Sequence, residues 1–324
     1  MKRSIVLILV VFLASLVCAQ MQPAQPAQPP QGQQQQLDPN TPAGMAQQAR
    51  RLMSQGKLDE ALELTHKAMQ ADPKSFDAHM ATGTVLDMQG KYAEARKHIQ
   101  AAMNVADEKQ KPGAQRSLAV SYFFERNAKG AEEAERPLIE ANLAKKDYVG
   151  AADVSNELAR LLLESEDYSG AAKYYQMGYD ASTKAELKPE EHALWEWRWH
   201  NAQARIAARQ GKKAAAQKHV EAAKAALDKT GADNLKAQAQ YWPYLTGYVA
   251  YYGGDYTTAI SELQSASEKA SQRDPFILAL LAMSFEKTGK NAEATELYKK
   301  ILTMYMHNPT GAYARTIAQK KVGQ

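Results

Sequence analysis

The sequence predicts an all-α fold, an α-solenoid of about seven helix-turn-helix units ending in a C-terminal capping helix. Three observations carry that expectation. Two frames 34 residues apart, Gly56-Lys57-Leu58-Asp59-Glu60-Ala61 and Gly90-Lys91-Tyr92-Ala93-Glu94-Ala95, repeat one order of residue types, and Ala68 and Ala102 continue the period. Turn residues recur along the chain at Gly56, Gly90, Asn127, Asp167, Gly211, Gly254 and Gly289. From about Ala46 onward Ala, Leu, Glu, Lys, Gln and Arg dominate, and these residues lose least on entering a helix.

The chain opens on Met1-Lys2-Arg3 and an apolar run from Ile5 to Val17, shorter than the ~20 residues a membrane span needs. A basic start, a short apolar stretch and small residues before Gln20 predict a secretory signal peptide over 1–19. Export to the periplasm or the cell exterior follows, with no transmembrane segment after cleavage. Cys18 raises lipidation as an alternative, but Val17 stands where a lipoprotein signal has a small residue. Cys18 is the only cysteine, so cleavage after Ala19 leaves no thiol for a disulfide, a nucleophile or a metal. Residues 20–44 are rich in Gln, Pro and Ala and nearly devoid of large apolar side chains, which predicts a flexible tether.

The array follows over 45–309. Each turn residue precedes a small residue by four or five positions: Ala61, Ala95, Ala131, Ala171, Ala216, Ala259 and Ala294, with steps of 34, 36, 40, 45, 43 and 35. A Gly or Asn is expected to end the first helix in the left-handed conformation, and the Ala to mark where the two helices cross closely. The longer central steps predict longer helices or turns there. No unit can bury its apolar stripe alone, so neighbours must stack. Residues 310–324 set Ala312, Ile317 and Ala318 against Arg315, Gln319, Lys320 and Lys321, the pattern of a polar helix that caps the stack.

This pattern resembles the tetratricopeptide repeat. Ala49, Leu52, Gly56, Leu58, Ala61, Ala68 and Pro73 occupy the marked positions in the first unit, and Gly83, Leu86, Gly90, Tyr92, Ala95 and Ala102 in the second. Gly247, Gly254, Tyr256, Ala259 and Ala266 do so in the sixth, and Ala282, Phe285, Gly289, Ala294 and Tyr298 in the seventh. The fourth keeps Tyr168, Ala171 and Tyr175 without the family proline, and the third and fifth are degenerate. The resemblance implies a right-handed superhelix whose first helices line a concave groove, and a protein-binding role. It carries fold more than function.

On the register the resemblance implies, the groove face of the sixth unit carries Tyr241, Tyr244, Tyr248 and Tyr251, with Tyr252 beside them. The fifth unit presents Arg198, Asn201 and Arg205, with Arg209 close by, and the fourth Asp153, Asn156 and Arg160. Tyrosine offers flat area and a hydroxyl at low entropic cost, and arginine a fork for carboxylates. That surface suits an extended peptide, a C-terminal carboxylate or a glycan; the competing reading is that the tyrosines pack between helices. In HALWEWRWH, Trp195 and Trp199 share a helical face and Trp197 points away, so at least one indole is expected to be partly exposed or covered by a neighbour.

The rest of the composition excludes more than it assigns. A net charge of +4, or +2 for 20–324 (38 − 36), with no long basic run, argues against nucleic acid. The seven histidines offer no pair at helical spacing of three or four, so no metal site is expected. No His-Glu-x-x-His, Gly-x-Ser-x-Gly or phosphate-cradling loop occurs, and neither an enzyme nor a cofactor is expected. The reading is a non-catalytic scaffold that binds an extended segment of a protein partner in its groove. The alternatives are a component of a cell-envelope assembly or polysaccharide-export machine, touching glycan or envelope partners, and a self-associating architectural protein.

Overall fold

The computed structural model describes residues 37–323. The expected leader over 1–19, Cys18 and most of the tether over 20–44 lie outside them. Helices α1 (Pro42–Ser54) and α2 (Leu58–Ala71) form the first hairpin, α3 (Phe76–Met88) and α4 (Tyr92–Val105) the second, and α5 (Lys111–Phe124) and α6 (Ala128–Ala144) the third. The fourth is α7 (Tyr148–Glu164) with α8 (Tyr168–Ser182), and the fifth α9 (Pro189–Arg209) with α10 (Lys213–Leu227). A short α11 (Ala232–Ala237) precedes the sixth, α12 (Tyr241–Gly253) with α13 (Tyr256–Lys269). The seventh pairs α14 (Pro275–Lys287) with α15 (Asn291–Leu302), and α16 (Pro309–Val322) follows. Helix α1 thus begins ahead of position 45, capped by the Thr41 hydroxyl, which accepts from the Gly44 amide.

The small residues do what their spacing implies. Ala61, Ala95, Ala131, Ala171, Ala216, Ala259 and Ala294 all sit in the first turn of a second helix and are buried. Glycines on the facing helix let the backbones come closer still: a Cβ on Gly83 would lie 2.7 Å from the Ile99 side chain, and one on Gly247 2.7 Å from Leu263. The long central steps have three sources: the 17-residue α6 and α7, the 21-residue α9 and the inserted α11.

Two turns differ from the expected chemistry. Gly56, Gly90, Gly211, Gly254 and Gly289 carry positive φ, but in the third and fourth units Arg126 (φ 56°) and Glu166 (φ 69°) hold that conformation, not Asn127 and Asp167. Asn127 and Asp167 stand one position later as N-caps, their Oδ1 atoms accepting from the amides of Gly130 (2.9 Å) and Gly170 (2.8 Å). Asp147 repeats the device between units, accepting from Gly150, with Lys146 left-handed before it (φ 59°). A side-chain cap contributes about 1 kcal/mol, which offsets part of the strain of a non-glycine left-handed residue.

The array is not open at its C-terminal end. Beyond α15 the chain crosses back towards the first units. The Tyr305 ring covers the Gly56 turn, and His307 Nε2 lies 2.7 Å from the Asp87 carboxylate on α3. The Ser121 hydroxyl on α5 donates to the other Asp87 oxygen at 2.8 Å. Helix α16 packs on α14 and α15 and also reaches α5 and α7. Its buried face, Thr310 to Ala314 with Thr316 and Ala318, is far broader than the expected Ala312, Ile317 and Ala318 stripe. Tyr313 stacks on Phe276 at 4.5 Å, and the Arg126 guanidinium lies 4.7 Å from the Tyr313 ring centre. One apolar core therefore runs from the first three hairpins through α7 to the sixth and seventh hairpins and α16.

Candidate functional site

The first helices of the fourth, fifth and sixth units turn their inner faces to one another. Arg160 on α7, Arg198, Asn201 and Arg205 on α9, and Tyr241 and Tyr244 on α12 line one cavity of about 90 Å³. Asp153, Asn156, Tyr175, Trp197 and Gln238 complete its wall. Six of the eight residues singled out on the groove face are thus brought together, because spacings of three and four put them on one side of each helix.

Tyr248 and Tyr251 do not line the cavity. Tyr248 is 2% exposed and its hydroxyl donates to Glu164 Oε1 at 3.3 Å. Tyr251 packs edge-on to Tyr252 (4.9 Å) and Tyr256 (5.7 Å). The tyrosine column is therefore part cavity wall and part core, and the concave side at the sixth unit is not the open groove that an extended peptide gripped by Tyr248 would need. Arg209 also belongs to the core, bonded to Glu164 Oε2 (3.2 Å), Tyr252 Oη (2.7 Å) and Glu166 Oε1 (3.3 Å).

The cavity wall is cationic and held rigidly. Arg205 donates from Nε to Asn201 Oδ1 (3.0 Å) and from Nη2 to Tyr175 Oη (3.0 Å). Arg160 donates from Nη2 to Tyr244 Oη at 3.3 Å, with its guanidinium 4.1 Å over the Phe276 ring. Arg198 pairs with Asp153 at 3.2 Å and lies 4.3 Å over Trp195. Burial moves both partners of that pair towards neutrality: it raises Asp153 against the pull of Arg198 and Arg116, and lowers Arg198 against the pull of Asp153. Desolvation therefore exceeds their mutual attraction. Burial also pushes the Tyr244 hydroxyl up to about 12, opposed by Arg160 and Arg205, so it stays a neutral donor and acceptor.

Three buried guanidinium nitrogens of this wall have no hydrogen-bond acceptor: Arg160 Nε, Arg198 Nε and Arg205 Nη1. The lining holds three arginines and one acid, Asp153; Asp274 beside Arg160 and Glu164 beside Arg205 bear on the wall from outside the cavity lining. Such a surface prefers an anion, and a carboxylate fits a guanidinium fork best.

Some of the wall was not readable from the register. Gln238, buried in the turn before α12, has no periodic neighbour to announce it. Trp197 lines the cavity because it stands one turn before Asn201 on α9, while Trp199 is the partly exposed indole, donating to Gln176 Oε1 at 3.2 Å. Among the described residues no three metal-ligating side chains of the His, Cys, Asp and Glu types cluster, and no helix is long and apolar enough to cross a membrane.

Fold and cavity together define a helical-hairpin solenoid closed around a small cationic site. Models of the tetratricopeptide repeat match residues 52–119 and 244–309. Those two stretches are tetratricopeptide repeats. The matched stretches fall on the first two and last two hairpins, where the repeat positions are most complete. No curated protein sequence matches the chain. Among solved structures it is similar to a tetratricopeptide repeat protein from Parabacteroides merdae, at 12% identity and TM-score 0.51 over 85% of this chain and 98% of that one. That likeness is one of fold. It is also similar to a structure from a functional study of Pseudomonas aeruginosa pilF (16% identity, TM-score 0.42, 70% of this chain and 90% of that one). A third is the Cut9–Hcn1 hetero-tetramer of the APC/C (17%, 0.41, 88% of this chain and 50% of that one).

Proposed function

We propose that this protein is an exported, non-catalytic scaffold that captures a protein partner through a carboxylate seated in the α7–α9–α12 cavity. The observation that carries the reading is the make-up of the cavity lining, three arginines against one acid, Asp153, with Asn201 and two tyrosines beside them. The repeat family supports the binding role, since its folds present surfaces and rarely chemistry. The basic and apolar N-terminal stretch supports export to the periplasm or the exterior.

The size of the site limits what enters. A cavity of about 90 Å³ is smaller than the ~150 Å³ that takes a benzene ring. It therefore admits one acidic side chain or a chain end, and the remainder of the partner segment lies along the rim. Asn201 and Tyr244 supply hydrogen bonds that orient the carboxylate, and Tyr241 the flat edge beside it.

The test is a peptide array in which each sequence is presented with a free and with an amidated C-terminus, and with internal Asp and Glu. Binding is expected to need a carboxylate and to weaken at least tenfold in Arg205→Met and Asn201→Ala, each checked by circular dichroism. Equal binding of neutral and acidic peptides would overturn the reading.

A further inference from the structure

Two pairs of imidazoles stand apart from the cavity and share one geometry. His79 on α3 and His98 on α4 face each other with their Nδ1 atoms 3.1 Å apart. His200 on α9 and His219 on α10 do the same at 3.1 Å. Each pair spans 19 residues and bridges the two helices of one hairpin, and the ring centres lie 5.4 and 5.3 Å apart at interplanar angles of 36° and 40°. The same arrangement in the second and fifth units is not a consequence of the repeat consensus, whose marked positions are Gly, Ala and apolar residues.

The tautomers matter. His79 Nε2 lies 3.0 Å from the Pro73 carbonyl oxygen, which can only accept, so the ring proton sits on Nε2 and Nδ1 is bare. A ligating histidine anchored through its other nitrogen by a carbonyl is how metal sites fix an imidazole. Burial, more than the neighbouring charges, lowers His98, His200 and His219, which keeps them neutral at pH 7. His66 and Lys218 push the same way, and Glu94 and Glu196, each one helical turn before His98 and His200, push back.

We propose that each pair is a binding site for one divalent transition-metal ion of the borderline class that prefers imidazole, such as Zn²⁺, Ni²⁺ or Cu²⁺, held through both Nδ1 atoms. Tetrahedral zinc with bonds of about 2.0–2.1 Å spaces two nitrogens about 3.3 Å apart, close to the 3.1 Å found twice here. At 3.1 Å one Nδ1 of each pair donates its proton to the other, His98 to His79 in the second hairpin. The ion takes the place of that proton, and the donor ring keeps its proton on Nε2 as the other tautomer. The partly exposed rings rotate slightly to converge both lone pairs, leaving the other metal positions to water. Bound ions would clamp the two helices of the second and fifth hairpins together.

The experiment titrates ZnCl₂ into the untagged protein at pH 7.4 by calorimetry, beside His98→Gln, His219→Gln and the double variant. Glutamine keeps a polar partner for the facing ring and removes the metal ligand. Two sites are expected in the natural protein, one in each single variant and none in the double. Ni²⁺ adds an independent readout: Trp199 lies 4.8 Å from His200 and 5.7 Å from His219, ring centre to ring centre. Quenching of tryptophan emission should therefore vanish in His219→Gln and persist in His98→Gln. No saturable zinc binding by the natural protein, or undiminished binding by a helical double variant, would overturn the proposal.

Discussion

Replacing Glu135 by glutamine should stabilise the protein at neutral pH and leave it unchanged in acid. Glu135 on α6 is completely buried and neither of its carboxylate oxygens has a hydrogen-bond partner. It faces Glu157 on α7, whose Oε2 lies 3.5 Å from Arg116 on α5, and Asp153 bears on Glu157 from one turn away. Burial raises Glu135 well above 4.5, Glu157 adds to the rise, and Arg116 only partly opposes it. Burial likewise pushes Glu157 from 4.5 to about 7. A carboxyl raised in the folded state binds more protons folded than unfolded. Its contribution is therefore complete below 4.5 and is lost as pH rises through the folded value. For Glu157 the rise spans 2.5 pH units (7 − 4.5), which at 1.36 kcal/mol per unit costs about 3 kcal/mol by pH 7, and burial penalises the partnerless Glu135 in the same direction. Glutamine matches the neutral acid in shape and does not titrate. Glu135→Gln should then gain stability at pH 7 and almost none at pH 4.5. Urea midpoints by far-ultraviolet circular dichroism at both values read this directly. An equal shift at the two pH values, or a loss at pH 7, would refute the assignment of Glu135 as a buried, proton-holding acid.

Other perturbations test the fold at separate points. Tyr313→Ala removes the ring between Phe276 and Arg126 and should cost about 3–5 kcal/mol, read as a lower urea midpoint and as new protease cleavage within 303–323. Gly56→Ala should cost more than Gly90→Ala. Both glycines have φ 79°, where a side chain costs about 1–2 kcal/mol, but only at Gly56 would the new Cβ come 2.8 Å from Tyr305. Equal midpoints in thermal melts of the two variants would mean that Tyr305 does not press on the first turn. Arg209→Met strands the fully buried Glu164 carboxylate and should cost about 3–5 kcal/mol. The double change with Glu164→Gln should recover part of that loss in a denaturation cycle.

Much of the architecture was readable because backbone constraints recur. A left-handed turn that wants glycine and a crossing that admits only alanine leave marks at fixed spacing, and Ala61 to Ala294 mark seven hairpins that way. The inward column of Tyr241, Tyr244, Tyr248 and Tyr251 was readable from helical spacing, which fixes a face but not what fills it. What lay beyond reach was contact between distant units. His307 and Asp87 meet 220 residues apart, and no local pattern couples them. Asn127 stands one position away from the left-handed role its type suggests, because an Asn is at home both in a left-handed turn and at an N-cap. The facing histidines were missed for a similar reason. A search along one helix looks at spacings of three and four, whereas these pairs meet across a hairpin at 19.

An open chain of stacked hairpins behaves as a spring. Each unit leans only on its neighbours, and the coil can widen or tighten to admit a guest. Here the segment from Tyr305 to Ala318 ties the last hairpin to the first three through the Gly56 turn, Asp87 and Arg126. The spring is clasped into a loop, and its curvature can no longer relax one unit at a time. A visitor to the arginine-lined cavity therefore meets a fixed aperture, and enlarging it means opening the clasp. The segment from Tyr305 to Ala318 thus sets the tension of the whole coil, and the first three hairpins keep their curvature only while it stays docked.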